Sequence, residues 1–123
     1  MIFEQQMDLL KKENKPEWSR PSFPDVTGIK QVAVDLETYD PDIKILGGGW
    51  ATNKGFVVGV AISFEGFDGY FPVRHERGGN FSESEVKKWL TKLFKQDPIV
   101  ICHNAVYDLG WLRRWGVECD VTK

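Results

Sequence analysis

The sequence has little cysteine, no long apolar run and no large excess of charge of one sign. Two cysteines in 123 residues cannot form a disulfide framework or a four-ligand zinc site, which favours a reducing compartment such as the cytoplasm. No apolar stretch approaches the roughly 18 residues that a membrane-spanning helix needs, so we expect no membrane partner. The formal net charge of −2 excludes a broad basic surface for nucleic acid but leaves room for a small local site.

The apolar content is sufficient for one packed domain. Hydrophobic residues make up 41% of the chain and include five tryptophans, and the length is that of a typical single domain. Three prolines lie between positions 16 and 24 and predict an extended connector, because proline fixes φ and lacks a backbone donor. We therefore expect a leader or linker over residues 1–28 and a domain over residues 29–123.

Alternating apolar and polar residues predict three strands in the first part of this domain, over residues 29–36, 55–64 and 69–73. The segments between them are too short for a crossover helix, so we expect an antiparallel meander. The first connection, from Tyr39 to Asn53, contains three successive glycines and is predicted to be a flexible hairpin loop.

Helices and one more strand are predicted to follow the meander. Ser82 and Glu85 have the spacing of a capping box before an amphipathic helix over residues 82–96. Residues 99–102 predict a short strand buried on both faces, and residues 104–115 a second helix. The order β-β-β-α-β-α predicts an α/β fold, a mixed sheet with helices on its faces.

Two carboxylates end the first predicted strand. Asp35 and Glu37 are two positions apart, so on a strand they project from the same face. Open α/β sheets bind ligands at the carboxyl ends of their strands, and Mg²⁺ or Mn²⁺ prefers oxygen ligands. The alternative is that both acids simply lie in solvent.

A second polar pair follows the short fourth strand. Asn104 and Asp108 are four positions apart and therefore share one face of the predicted helix. The alternative is an ordinary N-cap for Asn104 and an ordinary surface acid for Asp108. Both pairs are expected at the same end of the sheet. Carboxylates there suit two divalent ions about 3.5–4 Å apart, which activate a water and stabilise the leaving 3′ oxygen of a phosphodiester.

These motifs resemble those of the DEDD 3′–5′ exonucleases. VAVDLETYDP is similar to the first motif, D-x-E, and ICHNAVYDLGWL to the second, N-x-x-[FY]-D. The run between them is similar to the proofreading exonuclease domain of bacteriophage-type family A DNA polymerases. The resemblance covers residues from about 25 to 120. It implies a ribonuclease H-like fold, editing of mispaired single-stranded 3′ ends of DNA, and a location in the cytoplasm of a bacterial or phage-infected cell.

The resemblance also implies roles for individual residues. Asp35, Glu37 and Asp108 would be the catalytic residues and would bind Mg²⁺ or Mn²⁺, two ions in a complete domain. Thr38 and Tyr107 would line the terminal nucleotide, and Asn104 would orient the site.

One motif of the resembled family is missing. The family has a third motif, Y-x-x-x-D or H-x-x-x-D, but no Tyr or His in this sequence is followed by Asp four positions later. We therefore expect an N-terminal piece of a longer polymerase, with weak or no hydrolysis by itself. Its expected partners are a DNA 3′ end and the rest of the polymerase chain. An exposed apolar patch on the sheet would also favour self-association.

Two other functions stay open at this point. The missing third motif also fits a non-catalytic, nuclease-like interaction module. An RNA-trimming exonuclease of the same superfamily is the weaker alternative, because the sequence shows no feature that senses a 2′-hydroxyl.

Overall fold

The computed structural model describes residues 21–119, and its secondary structure follows the predicted order with two added short helices. In chain order the elements are β1 (Gln31–Tyr39), α1 (Ile43–Leu46), α2 (Gly49–Thr52), β2 (Phe56–Phe64), β3 (Phe67–Pro72), α3 (Glu83–Lys95), β4 (Ile99–Ile101) and α4 (Ala105–Trp115). None of the helices in this described part is long and apolar enough to cross a membrane.

The four strands form one mixed sheet in the order β3-β2-β1-β4. β1 pairs with β2 and β2 with β3 in antiparallel fashion, which confirms the predicted meander. β4 pairs in parallel with the start of β1, where Val32 lies opposite Val100. The α/β class is therefore confirmed, and the topology is compatible with a ribonuclease H-like fold.

One face of the sheet is covered by the two long helices. Val32, Val34 and Leu36 of β1 are buried there, together with apolar side chains of β2 and β3. They share one core with residues of α3 and α4, namely Val86, Trp89, Leu90, Leu93, Phe94, Trp111 and Leu112. Burial of each such side chain contributes about 1.5–3 kcal/mol, so this face anchors both helices on the sheet.

The opposite face, here called the open face, carries the side chains that alternate with the core residues. The strand register places Asp35 opposite Ala61 and Ala61 opposite Tyr70 on this face. Its members are Gln31, Ala33, Asp35, Glu37, Ala61, Ser63, Asp68, Tyr70, Ile99 and Ile101. Both isoleucines are about half exposed, at 49% and 51%.

Three local predictions differ from the structure. The connection 39–53 is not an irregular loop but contains α1 and α2, and Gly49 is buried at the start of α2. β4 is not buried on both faces, because in the described part of the chain it pairs with β1 alone and has one side on the open face. Ser82 is the N-cap of α3 but makes no capping hydrogen bond, since its hydroxyl pairs with Ser84 instead.

The predicted leader lies partly within the described part of the chain. Residues 21–28 have no helix or strand, yet Val26 is buried in the core and the Phe23 ring stacks on Phe71 with centroids 5.2 Å apart. The Trp89 indole N–H donates to the Pro24 carbonyl at 2.9 Å. This segment therefore packs on the domain, while the rest of the predicted leader, residues 1–20, lies outside the described residues.

Candidate active site

Asp35 and Glu37 lie on the open face near the carboxyl end of β1, as predicted. Both side chains are exposed, while Leu36 between them packs into the core. The register between β1 and β2 shifts just after Glu37, so that Thr38 pairs with Val57. Irregularities of this kind bend a strand and re-aim its side chains, and they are frequent beside active sites.

Asp108 is presented by the start of α4. Asn104 is the N-cap of this helix, and its side-chain oxygen accepts a hydrogen bond from the Tyr107 N–H at 3.3 Å. Asp108, one turn further on, is only 3% exposed, and it is the one buried charged side chain in the part of the chain that the structure describes. An ordinary surface acid is therefore excluded for Asp108, whereas Asn104 does act as an N-cap.

The Asp108 carboxyl lies close enough to Asp35 for their charges to repel. Burial raises the pKa of Asp108, and the nearby charge of Asp35 raises it further. The backbone of Leu36 acts in the opposite direction, because its hydrogen bond favours the ionised carboxylate. Asp108 is therefore anchored beside β1 at Leu36, within range of the charge of Asp35.

Cys102 adjoins the same pair of acids. Burial, followed by the charges of Asp108 and Asp35, raises the pKa of its thiol to about 11. The predicted burial of residues 99–102 on both faces would bury this thiol fully, but the structure shows it half-buried. Neither cysteine forms a disulfide.

Glu37 is held by two residues that follow β2. The Tyr70 hydroxyl donates to Glu37 Oε2 at 2.6 Å, and His75 Nε2 lies 3.5 Å from the same oxygen. Tyr70 and His75 are in turn hydrogen-bonded to each other at 2.5 Å. Burial and the neighbouring carboxylate of Glu37 raise the pKa of the Tyr70 phenol, so the phenol stays protonated and can donate.

The carboxylate oxygens at this site meet the requirements of a divalent ion only in part. Within residues 21–119 no group of three or more His, Cys, Asp or Glu side chains is placed to hold a metal ion. Asp35 and Asp108 do offer two hard oxygen ligands whose mutual repulsion a cation would relieve. Glu37 lies on the same face as Asp35, and its Oε2 accepts a hydrogen bond from the Tyr70 hydroxyl.

Thr38 and Tyr107 are in direct contact. Their hydroxyl oxygens are 2.6 Å apart, and the Tyr107 hydroxyl also donates to Asp40 Oδ2 at 3.1 Å. Asp40 accepts a further hydrogen bond from the Gly49 N–H at 2.9 Å. The two residues predicted to line a substrate therefore belong to one network that joins β1, α2 and α4.

A groove beside Asp35 gives the open face a concave shape. Its volume is about 620 Å³, and Asp35, Ile101, Cys102 and His103 are among its lining residues. This volume is within the range of small-molecule and cofactor sites. The groove is lined by both acidic and apolar side chains, among them Asp35, Asp68 and Ile101.

Three residues of this region are not predicted from the sequence. They are Tyr70, Asp40 and His75, which the structure connects to Glu37 or Tyr107. A signal for Tyr70 exists, because in the paired register it falls on the same face as Asp35 and Glu37. No comparable signal exists for Asp40 or His75, since their positions depend on how the connections 39–53 and 73–81 fold.

The fold and the site together are those of an α/β domain with acidic side chains on and beside its first strand. No protein-family profile matches the sequence. A DNA-directed DNA polymerase of Pseudomonas phage M6 is 36% identical over 112 residues, which cover 85% of this chain and 17% of that polymerase. The chain is therefore related to a region of a phage DNA polymerase, which is an enzyme, and it spans a minor part of that relative's length.

Proposed function

We propose that this chain carries the first two acidic motifs of a metal-dependent 3′–5′ exonuclease that edits DNA ends for a phage polymerase. The observation that carries the proposal is the burial of the Asp108 carboxyl beside β1, where its backbone partner is Leu36 and the charge of Asp35 acts on it. Asp108 is buried and its carboxylate is destabilised by Asp35, an arrangement that costs stability unless a cation compensates it. The relationship to a phage polymerase supports DNA and the remaining polymerase chain as partners.

Each residue of the proposed site would have its own role in binding the metal ion or the nucleotide. Asp35 and Asp108 would hold Mg²⁺ or Mn²⁺, with Glu37 as a further ligand. A divalent ion at this place supplies a Lewis acid that lowers the pKa of water and stabilises a leaving oxygen. Thr38 and Tyr107 would contact the terminal nucleotide, and Asn104 would fix the start of α4 and thereby the position of Asp108.

The chain does not provide the whole site. No Y-x-x-x-D or H-x-x-x-D occurs in the 123 residues, so the remaining ligand of the proposed exonuclease would come from elsewhere. We therefore expect metal binding by this chain but weak or no hydrolysis by it alone. The reaction is expected from a polymerase that contains this region, within the cytoplasm of the infected cell.

Metal binding by the 123-residue chain tests the first half of the proposal. Titration with Mn²⁺, followed by the electron paramagnetic resonance signal of the free ion, should show saturable binding. Asp35→Asn and Asp108→Asn should each weaken binding at least tenfold, because each removes a charged ligand. Glu85→Gln, which changes an exposed acid on α3, is the matched control and should have no effect. Equal binding by all variants would contradict the assignment.

Nucleotide release tests the second half. The polymerase that contains this region should release mononucleotides from a single-stranded DNA 3′ end in the presence of Mn²⁺, and Asp35→Ala combined with Glu37→Ala should abolish the release. Activity that survives this double change would refute the proposed roles. A parallel assay on RNA decides between DNA editing and RNA trimming, since preferential RNA degradation would favour the latter.

A non-catalytic nuclease-like module is the second candidate, and one observation favours it. Glu37 accepts a hydrogen bond from Tyr70, and the described part of the chain has no group of three side chains placed to hold a metal ion. If neither the chain nor the complete polymerase binds Mn²⁺ through these acids, this second function replaces the first.

A further inference from the structure

Glu37, Tyr70 and His75 form a chain of hydrogen bonds with a defined direction. A carboxylate only accepts hydrogen bonds, so the single proton of the Tyr70 hydroxyl points to Glu37 Oε2 at 2.6 Å. The contact of 2.5 Å between Tyr70 Oη and His75 Nε2 then requires that His75 donates. The sequence of donors is therefore His75 Nε2–H to Tyr70 to Glu37.

The backbone leaves a slot for the Tyr70 side chain. Gly59 lies directly opposite Glu37 in the strand register, between β1 and β3. A Cβ atom on Gly59 would lie 2.0 Å from the Tyr70 hydroxyl oxygen and 2.4 Å from its Cζ. Tyr70 can therefore reach across β2 to Glu37 only because residue 59 has no side chain.

The loop after β3 fixes the other end of the chain of hydrogen bonds. The His75 N–H donates to Asn80 Oδ1 at 2.8 Å, and Asn80 Nδ2 donates to the His75 carbonyl at 2.9 Å. The His75 ring packs edge-on against the Tyr70 ring, with centroids 5.5 Å apart. The imidazole is thus held in place by its own loop rather than by Glu37.

From this geometry we propose that Tyr70 and His75 are positioning residues for Glu37, and that Gly59 is the position that admits them. In residues 21–119, hydrogen bonds reach only Oε2 of Glu37, so its other oxygen is available to a ligand. Fixing one carboxylate oxygen lowers the entropy cost of binding through the other. The inference rests on the proposed function, because it assigns a purpose to Glu37 within that metal site.

The affinity of the 123-residue chain for Mn²⁺ tests the proposal. Tyr70→Phe removes only the hydroxyl and should weaken Mn²⁺ binding about tenfold, as expected for loss of a residue that orients a metal ligand. Gly59→Ala keeps the hydroxyl but blocks its path and should have a similar effect. Tyr39→Phe is the matched control, since the exposed Tyr39 packs on Phe56 and is not a member of this chain of hydrogen bonds, and it should change affinity less than twofold.

The protonated nitrogen of His75 gives a second test, in the metal-free chain. Long-range ¹H–¹⁵N correlation spectra, assigned with a His103→Gln variant, should show that neutral His75 carries its proton on Nε2. A proton on Nδ1 would overturn the proposal, because Tyr70 would then donate to His75 and not to Glu37.

A Glu37→Gln variant separates failure of this inference from failure of the proposed function. If Glu37→Gln weakens Mn²⁺ binding while Tyr70→Phe and Gly59→Ala do not, the positioning role is wrong and the metal site stands. If Glu37→Gln also leaves binding unchanged, Glu37 is not a ligand, and both its assigned role and the positioning role are refuted.

Discussion

Asp108 shows at the scale of one residue how a function can conflict with stability. It is 3% exposed, and both burial and the charge of Asp35 disfavour its ionised form. A carboxyl whose pKa is raised by folding binds its proton more tightly in the folded state. The resulting loss of stability is complete above the raised pKa and disappears as the pH falls below the ordinary value of 3.8.

Asp108→Asn should therefore stabilise the metal-free chain at neutral pH. The amide keeps a hydrogen-bond acceptor near Leu36 and removes the buried charge. We expect the Tm to rise by about 3 °C, the change that roughly 0.5 kcal/mol causes in a domain of about 100 residues. Thermal unfolding followed by circular dichroism at pH 7 and pH 3 checks the prediction, and the gain should largely vanish at pH 3, which is below the ordinary pKa of 3.8.

Asp68→Asn is the control for this prediction. Asp68 is an exposed acid on the open face whose carboxylate accepts a hydrogen bond from Ser63, so its replacement should not raise the Tm at pH 7. A loss of stability in Asp108→Asn at neutral pH would show that Asp108 contributes more through its hydrogen bonds than its charge costs.

The shared face of Asp35 and Glu37 was predictable from the sequence because their spacing fixes it. A two-residue spacing places Asp35 and Glu37 together on any strand, and Asp108 follows a short apolar strand. The partners of Glu37 were not predictable in the same way. They depend on the absence of a side chain at Gly59, the residue opposite Glu37 on the neighbouring strand, and on the loop that carries His75.

At the scale of elements, α2 and α4 are fitted to each other through a glycine. A Cβ atom on Gly110 would lie 2.5 Å from Cδ2 and 2.6 Å from Cε2 of the Trp50 indole. These atoms belong to the rigid ring system and cannot move away as the end of a flexible chain could. The same two helices are also joined through Asp40, whose carboxylate accepts hydrogen bonds from the Gly49 N–H and the Tyr107 hydroxyl.

Gly110→Ala should consequently destabilise the protein although alanine is the better helix former. The propensity gain is about 1 kcal/mol, whereas displacing a packed ring costs about 1–3 kcal/mol, so we expect a net loss of about 1 kcal/mol. Urea unfolding monitored by tryptophan fluorescence measures it. Val106→Ala, at a position of α4 that is 72% exposed, should stay within about 0.5 kcal/mol of the parent chain. An increase in stability for Gly110→Ala would show that Trp50 moves aside freely.

Helices and strands with a clear period were predicted to within about three residues of their observed ends, but the connections were not. The stripe of apolar residues in α3 and the Gly116 stop of α4 are both observed. The capping box at Ser82 failed because a side-chain pattern does not reveal a competing partner such as Ser84. The short helices α1 and α2 have no apolar period of their own and depend on tertiary contacts such as Asp40 with Gly49.

At the scale of the whole molecule, the sheet has one packed face and one open face. The sequence indicated the meander and the mixed sheet, since connection length limits how consecutive strands can pair. It did not indicate that Ile99 and Ile101 would be exposed. An unbroken apolar run fits a strand buried on both faces as well as an edge strand, and only the observed strand order separates the two.

The exposed isoleucines of β4 should cause weak self-association of the chain through the open face. Both lie on a strand that, among residues 21–119, pairs only at its β1 side, and exposed apolar strands at sheet edges favour contact with another copy. Ile99→Thr combined with Ile101→Thr keeps β-branched side chains. Because both isoleucines are about half exposed, the double change removes little buried apolar surface. Sedimentation velocity of the parent chain should shift with concentration, and the double variant should remain monomeric with a Tm within about 3 °C of the parent. Concentration-independent sedimentation of the parent chain, or association that survives the double change, would show that this face does not mediate self-association.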